Sequence, residues 1–337
     1  MSIIITVIIL GLLIVSHELG HFLAAKAVGI KVHEFAIGMG PKIFVHKGKE
    51  TLFTLRILPI GGYNRMAGME PDDEDHPRGF NKKSVGKRSF VIFAGSFMNF
   101  VLALLIFIIV FTGLGIPTNQ NIIGGLVPGG AAQLAGLREG DQIVAINNEK
   151  TETWNDLTTI IHNSPGKELE FKIKRNGELL TVRVTPVLDP EYKVGLVGIE
   201  RMWAKQGLLE SIVLGIQQAV ELGYLLVVSL VQMIIGRIPA EVAGPVGMVQ
   251  MIGEAAEYGM ASILNFAAIL SLNLGLINLF PVPALDGSRL IFLGLEWLRG
   301  KPIQREKENF IHFVGFFLLI GLMVLITYQD ILRLFSH

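Results

Sequence analysis

The chain has 337 residues, of which 51% are apolar and 17% charged, whereas a water-soluble domain carries about a quarter charged residues. The charges of its 29 basic and 29 acidic residues cancel, so the protein has no net positive field that would attract nucleic acid. The absence of cysteine excludes disulfides, thiol catalysis and iron–sulfur clusters, so any metal must be held by His, Asp or Glu. The composition indicates a membrane protein without a nucleic-acid partner.

Four stretches are long and apolar enough to span a bilayer, since a transmembrane helix needs roughly 20 mostly apolar residues. They cover residues 3–27, 90–111, about 261–285 and 310–328. The first stretch lacks the basic start of a signal peptide, and its apolar character resumes after a polar cluster. Residues 208–235 carry Glu210, Gln217 and Glu221 on one helical face, which favours an amphipathic helix that lies on the membrane surface or packs on the bundle over a fifth span. We therefore expect about four transmembrane helices.

Basic residues in the loops orient these helices in the membrane. Residues 31–88 contain eleven Lys or Arg and residues 289–307 contain five, and with four spans both loops lie on the same side. The positive-inside rule makes that side cytoplasmic. The polar residues 115–206 are then expected outside, together with both termini.

The first apolar stretch contains His17-Glu18-Leu19-Gly20-His21. Residues four apart share one face of a helix, so both imidazoles can reach one zinc ion, while Glu18 can take a proton from a zinc-bound water. The alternative is a chance match whose polar groups are satisfied by neighbours. Because three ionisable groups on one turn of an apolar span are costly unless they are paired or coordinated, the pattern favours a metal site.

A catalytic zinc usually takes three protein ligands and keeps one position open, so a third ligand is expected. His312 lies near the start of the last stretch, but it has no carboxylate companion within that stretch. Asp286 follows Pro281 and Pro283, which break the third apolar stretch and free backbone groups that only a protein- or water-lined cavity tolerates. A simple helix-capping role is the alternative for Asp286, which we predict to be the third ligand.

These motifs resemble those of the site-2 protease family, or peptidase family M50, whose members are zinc metalloproteases that cut substrates inside the membrane. Residues 17–21 fit the family's HExxH pattern, and residues 278–287 fit its NxxPxxxLDG pattern, with Ser288 where a second glycine is common. The chain is most similar to the bacterial regulator-of-sigma-E-protease type. That type is a polytopic α-helical membrane protein with four spans and an extracytoplasmic PDZ region between the second and third.

The resemblance implies roles for five residues. Zinc is expected on His17, His21 and Asp286, with Glu18 as the general base. Asn278 is expected to hold the substrate backbone or the developing oxyanion, because an amide offers both a donor and an acceptor. A hydrogen bond between helices is the alternative role for Asn278.

The middle of the chain resembles one PDZ domain, where some relatives carry two in tandem. The segments 127–132, 136–137, 140–144 and 146–147 match the bacterial protease PDZ pattern. Independently, residues 169–175 alternate as a strand does, and Asn176-Gly177 predicts a hairpin into residues 180–184. Such a domain captures peptides or serves as a steric gate, and the sequence does not choose between these roles.

Residues 34–44, 52–59 and 61–63 are typical of short strands with glycine turns. Relatives use this region as a re-entrant β-structure beside the active site. An exposed sheet edge there could hold an unwound substrate strand by main-chain pairing. A cytoplasmic hairpin without a catalytic role is the alternative.

Together these features predict a zinc-dependent intramembrane endopeptidase of the bacterial plasma membrane, with its active site toward the cytoplasm. The resemblance implies single-span membrane substrates trimmed beforehand by a site-1 protease, such as anti-sigma factors or signal-peptide remnants. The alternative functions are a catalytically silent membrane adaptor and an intramembrane metal transporter. The expected segments are a first span (1–28), a β region (29–88), a second span (89–115), a PDZ domain (116–190), a linker with a surface helix (191–258), a third span (259–288), a cytoplasmic loop (289–309) and a fourth span (310–329).

Overall fold

A computed structural model describes residues 1–70, 73–190, 192–239 and 243–335 of the chain. The chain divides into two compact units. One consists of Met1–Ile108 and Leu209–His337, and the other of Ile109–Leu208.

Five helices in the described part of the chain are long and apolar enough to cross a membrane. They are α1 (Ser2–Ala27), α2 (Val85–Ile109, continued by a π turn to Leu114), α5 (Leu208–Ile234), α7 (Met260–Asn278) and α9 (Arg305–Phe335). Large apolar side chains along α5 and α9 are exposed, as expected for surfaces that face lipid. The chain is therefore a membrane protein, and α5 meets the same length and composition criteria as the four expected spans.

The third apolar stretch ends its helix earlier than expected. Helix α7 stops at Asn278, because Pro281 and Pro283 interrupt the hydrogen-bond ladder. The next helix, α8 (Asp286–Arg299), begins at the predicted metal ligand and occupies much of the segment expected as a loop, residues 289–309. A shorter helix, α6 (Pro245–Glu257), precedes α7.

Helices α1, α2 and α7 pack closely through small residues. A side chain at Gly20 of α1 would overlap the main-chain carbonyl of Ala94 in α2. The Ser16 hydroxyl donates to the Met98 carbonyl (3.2 Å), and the Ser271 hydroxyl of α7 donates to the Asn99 carbonyl (2.8 Å). Small residues and hydroxyl hydrogen bonds commonly join helices inside a membrane, and here they bring three backbones together around one site.

The region after α1 forms two long strands, β1 (Val32–Lys47) and β2 (Leu52–Met66). Residues 34–37 of β1 pair on both sides, with residues 52–55 and with residues 62–65 of β2. Gly38 has a φ of 84°, which permits the irregular turn where this pairing changes. Apolar side chains join the sheet to α1 and α2 in one buried cluster: Ala24, Ala25, Ile30, Val32, Met66, Val91 and Ala94.

The unit of residues 109–208 is built on a four-stranded antiparallel sheet in the order β6-β5-β7-β8. Its strands are β5 (Gln142–Ile146), β6 (Glu149–Lys150), β7 (Leu169–Arg175) and β8 (Glu178–Val184). The predicted hairpin is confirmed: Asn176 and Gly177, with φ of 52° and 90°, join β7 to β8. Helix α4 (Trp154–His162) begins with a capping box of Thr153 and Asp156 and closes the apolar core.

This unit continues beyond residue 190, where the PDZ domain was expected to end. Its remaining elements are β3 (Ile116–Pro117), β4 (Ile123–Leu126), α3 (Ala131–Leu134), β9 (Val187–Leu188), β10 (Gly195–Leu196), β11 (Ile199–Arg201) and β12 (Trp203–Ala204). Strands β10, β11 and β12 pair with β9, β4 and β3, respectively. The later strands therefore close the unit against its own beginning. Glu191 and residues 240–242, within the expected linker, lie outside the described residues.

Candidate metal centre

Helix α1 brings His17 and His21 together, as expected for residues four apart on one face. Their Nε2 atoms lie 3.1 Å apart, and the two rings meet edge to face with centroids 4.7 Å apart. Both side chains are mostly buried. The two ring nitrogens thus point into one small space.

Asp286, at the start of α8, completes this group. Its Oδ2 lies 3.2 Å from the Nε2 of His17 and 3.0 Å from the Nε2 of His21. Among the described residues, these three form the group of His, Asp, Glu or Cys side chains that could hold a metal ion. The predicted third ligand is therefore beside both histidines.

His312, the other candidate weighed for the third ligand, has a different position. Its Nδ1 accepts a hydrogen bond from the main-chain N–H of Ala284 (3.1 Å). Ala284 has a φ of 76°, unusual for a residue with a side chain, and lies two residues before Asp286. His312 thus contacts the turn that leads to Asp286 and does not join the three-residue group.

The hydrogen bonds of His21 fit a metal ligand. Its Nδ1 lies 2.8 Å from the main-chain carbonyl of Val91, which can only accept, so Nδ1 carries the proton. The lone pair of Nε2 is then directed toward Asp286 and His17. An imidazole held by a carbonyl in this way is typical of metal sites, and two imidazoles with one carboxylate form a ligand set that suits zinc.

Glu18 lies next to the first histidine and is held by the sheet. Asn64 of β2 donates through its side-chain Nδ2 to the carboxylate Oε2 of Glu18 (2.7 Å) and to its main-chain carbonyl (2.8 Å). The backbone of Gly62 passes so close that an added Cβ would come within 2.8 Å of the Glu18 Cγ. Strand β2 therefore covers the predicted base and fixes its carboxylate.

Sequence reasoning did not identify Asn64. Nothing in the sequence around it sets it apart, because its contact with Glu18 joins residues 46 positions apart. The run Gly61-Gly62-Tyr63 just before it was the available signal, since a glycine pair in a strand indicates close backbone approach.

Asn278, the last residue of α7, also lies at the centre. Its Nδ2 is 3.4 Å from the Nδ1 of His17. Asn99 of α2 approaches the same ring nitrogen, with its Nδ2 at 3.5 Å. The structure thus brings together all five predicted site residues and adds Asn64 and Asn99, which were not predicted.

The arrangement is that of a membrane protein with two histidines and an aspartate that could hold a metal ion, beside a glutamate and among apolar helices. Such a group is typical of metallopeptidases. The model of Peptidase family M50 matches residues 5–322. The chain belongs to this family, and the resemblance seen in its sequence is confirmed.

Several curated proteins are similar over almost the whole chain. One is the zinc metalloprotease RasP of Geobacillus kaustophilus, 36% identical over 99% of this chain and 98% of that protein. The regulator of sigma-W protease RasP of Bacillus subtilis is 34% identical over 98% of both chains. A putative zinc metalloprotease of Clostridium perfringens is 39% identical over 98% of this chain and 99% of its own.

The alignment with the Geobacillus protein runs over 415 positions, more than the 337 residues of this chain, so that relative has residues without a counterpart here. Among solved structures, a PDZ domain of an SdrC-like protein from Listeria monocytogenes covers 26% of this chain and 90% of its own. Its sequence identity is 14% and its TM-score 0.23.

Membership of a peptidase family does not favour the transporter or adaptor alternatives.

Proposed function

We propose that this chain is a zinc-dependent intramembrane endopeptidase, which hydrolyses peptide bonds within or near the transmembrane segments of single-span membrane proteins. The observation that carries this proposal is the convergence of His17, His21 and Asp286 within 3.0–3.2 Å, next to Glu18. In an apolar helix such a group is stable only when it is paired or coordinated. The zinc metalloprotease names of the relatives support the same assignment.

The three ligand residues would hold zinc through two Nε2 atoms and Oδ2. When bound, zinc supplies a Lewis acid that makes water more acidic and polarises a carbonyl. Glu18, oriented by Asn64, takes a proton from the attacking water and passes it to the leaving amine. Asn278 holds the substrate backbone or the oxyanion that develops on the scissile carbonyl.

Water reaches such a site through polar parts of the protein. A cavity of about 570 Å³ is lined by Arg88, Arg289, Glu296 and His312, among other residues. His312, which contacts the turn before Asp286, is one of the residues that line this cavity. We assign it to the cytoplasmic side, where the basic residues of both loops place it by the positive-inside rule.

The contacts of α6 support a four-span topology with α5 on the membrane surface. The main-chain N–H of Gly247 donates to Asp330, near the end of α9 (2.8 Å), whereas His312, near its start, contacts the turn before Asp286. Helix α6 therefore lies at the end of the bundle away from the metal. Gly215 of α5 packs on Leu104 and Phe107 of α2, toward that same end.

If α5 crossed the membrane, the chain would have to return between residues 235 and 244. Ten residues reach at most about 35 Å when fully extended, and extended backbone in lipid leaves its polar groups unpaired. If α5 lies on the membrane surface, no segment has to return across the bilayer. With four spans, residues 31–88 and 289–307 are cytoplasmic, and the PDZ-like residues 116–190 are extracytoplasmic.

The name of the Bacillus subtilis relative, regulator of sigma-W protease, supports an anti-sigma factor as one substrate. We propose that the substrates are single-span proteins of this kind, or signal-peptide remnants, trimmed beforehand by a site-1 protease. The unit of residues 109–208 captures a peptide end or excludes untrimmed proteins by size. The outer strand segment 62–65, beside Glu18, offers an edge for an unwound substrate.

The proposal is tested with full-length protein purified in detergent and a tagged single-span reporter. Glu18→Gln keeps the shape of the side chain but removes the base, so we expect bound zinc at one equivalent and cleavage at least about 1,000-fold slower. Glu139→Gln, an exposed glutamate of the other unit, is the matched control and should cleave normally. Equal cleavage by the Glu18 variant, or a parent protein that binds no zinc, would overturn the proposal.

A further inference from the structure

Two asparagine amides face the same nitrogen of His17. The Nδ2 atoms of Asn278 and Asn99 lie 3.4 and 3.5 Å from its Nδ1. A neutral imidazole that gives the lone pair of Nε2 to a metal carries its proton on Nδ1, which then donates a hydrogen bond. An amide nitrogen cannot accept that bond, but a half-turn about the Cβ–Cγ bond exchanges the nitrogen and oxygen of the amide. The metal-loaded ring therefore requires one amide to present its oxygen.

The surroundings of the two amides differ. Asn99 is fully buried, and its Oδ1 is a buried oxygen for which the structure describes no hydrogen-bond partner. A buried acceptor without a donor destabilises a folded protein, and once the amide is turned the Nδ1–H of His17 supplies a donor for this oxygen. Asn278 is only partly buried at the end of α7, where its amide remains accessible to a substrate.

The backbone around Asn99 is fixed from two sides. Ser271 of α7 donates to the Asn99 carbonyl, and Ser16 of α1 donates to the carbonyl of the preceding residue, Met98. Asn99 is thus held between the helix that carries His17 and the helix that ends at Asn278. The same helix α2 supplies the Val91 carbonyl that accepts from His21.

We propose that Asn99 is the positioning residue of His17: its side-chain oxygen accepts the Nδ1–H of that ring and aims Nε2 at the metal, as the Val91 carbonyl does for His21. Helix α2 then orients both histidine ligands, and the amide of Asn278 is free for the substrate. This inference rests on the proposed zinc site, and it assigns different tasks to the two asparagines.

The test measures zinc affinity by competition with a chromophoric chelator, using full-length protein whose helical content is followed by circular dichroism. Asn99→Val removes the acceptor with little change in volume, and we expect zinc to bind about 10- to 100-fold more weakly. Asn99→Asp keeps an acceptor oxygen at the same place and should retain the parent affinity within a few-fold. Asn278→Val, the matched control, should keep zinc affinity and slow only reporter cleavage.

The outcomes separate this inference from the proposed function. A parent protein that binds no zinc would refute the zinc site itself. If the parent binds zinc, equal affinity in Asn99→Val would overturn the role of Asn99, as would a loss confined to Asn278→Val. Equal losses in Asn99→Val and Asn99→Asp would assign Asn99 to packing alone and also overturn it.

Discussion

Gly95 of α2 lies directly against the imidazole of His21, so that a Cβ at position 95 would overlap the ring at Nε2. This nitrogen is the one that faces Asp286 at 3.0 Å. The glycine therefore leaves open the space into which the ring nitrogen points, and the proposed metal site requires that no side chain fill this space.

Gly95→Ala should weaken zinc binding, because the added methyl group forces the His21 ring away from Asp286 and His17. We expect zinc to bind at least about 10-fold more weakly than to the parent protein, as when the orientation of a ligand is disturbed, measured by chelator competition.

Gly86→Ala on the same helix is the control, since a Cβ there meets no atom within 4 Å. It should leave zinc binding and cleavage unchanged. Parent-like zinc binding by the Gly95 variant would show that the ring has another orientation in the loaded protein.

Asn64→Val should slow catalysis without releasing the metal. The substitution removes the hydrogen bonds from Asn64 to the carboxylate and carbonyl of Glu18, and a bond to a charged group contributes about 1.5–3 kcal/mol. We expect kcat to fall about 10- to 100-fold, with KM and zinc content close to those of the parent. Steady-state kinetics on the reporter measure kcat and KM separately. A change confined to KM would argue against a role of Asn64 in orienting the base.

Arg88 at the start of α2 and Glu296 of α8 form a two-bond ion pair, with Nη1 of Arg88 3.1 Å from Oε2 and Nη2 bonded to Oε1. Both side chains are mostly buried. Removing one partner leaves the other charge buried, so Arg88→Met or Glu296→Gln should each cost about 3 kcal/mol of stability.

The double variant Arg88→Met with Glu296→Gln should recover part of that loss, because no charge is then left unpaired. Thermal unfolding in detergent compares the four proteins. Additive losses in the double variant would mean that the two side chains do not interact.

Glu34 of β1 is buried and accepts hydrogen bonds from Thr54 (2.8 Å) and Arg56 (2.9 Å), with Lys42 at 3.3 Å. Burial opposes ionisation, but the hydrogen bonds from Arg56, Thr54 and Lys42 outweigh it and lower the pKa of Glu34 from 4.5 to about 2. The folded state thus favours the carboxylate, which stabilises the sheet above the unfolded pKa near 4.5. This contribution is lost as the pH falls toward 2.

Glu34→Gln should therefore lower the free energy of unfolding at pH 6–8 by at most about 3 kcal/mol, which is seen as a lower unfolding temperature. The difference in unfolding temperature between variant and parent should shrink steadily below pH 4.5. Unfolding scans across this pH range provide the measurement. Glu149→Gln, at an exposed position, is the control. A difference that grows on acidification would contradict the assigned sign.

The local features of this protein could be predicted from its sequence. The apolar stretches revealed the long helices, because a span is defined by length and composition. His17 and His21 share a face since a helix repeats every 3.6 residues, and Asn176-Gly177 produced the expected hairpin because few residue pairs tolerate two positive φ angles. Each of these depends on residues close together in the chain.

The tertiary structure decided which distant groups meet. Asp286 lies beside the histidines while His312 contacts the turn before it, although both were candidates from the sequence. Asn64, Gly95 and Asn99 reach the centre only because helices α1, α2 and α7 and strand β2 pack closely there. Local periodicity sets the face on which a side chain lies, but packing between elements far apart in sequence sets what that face meets.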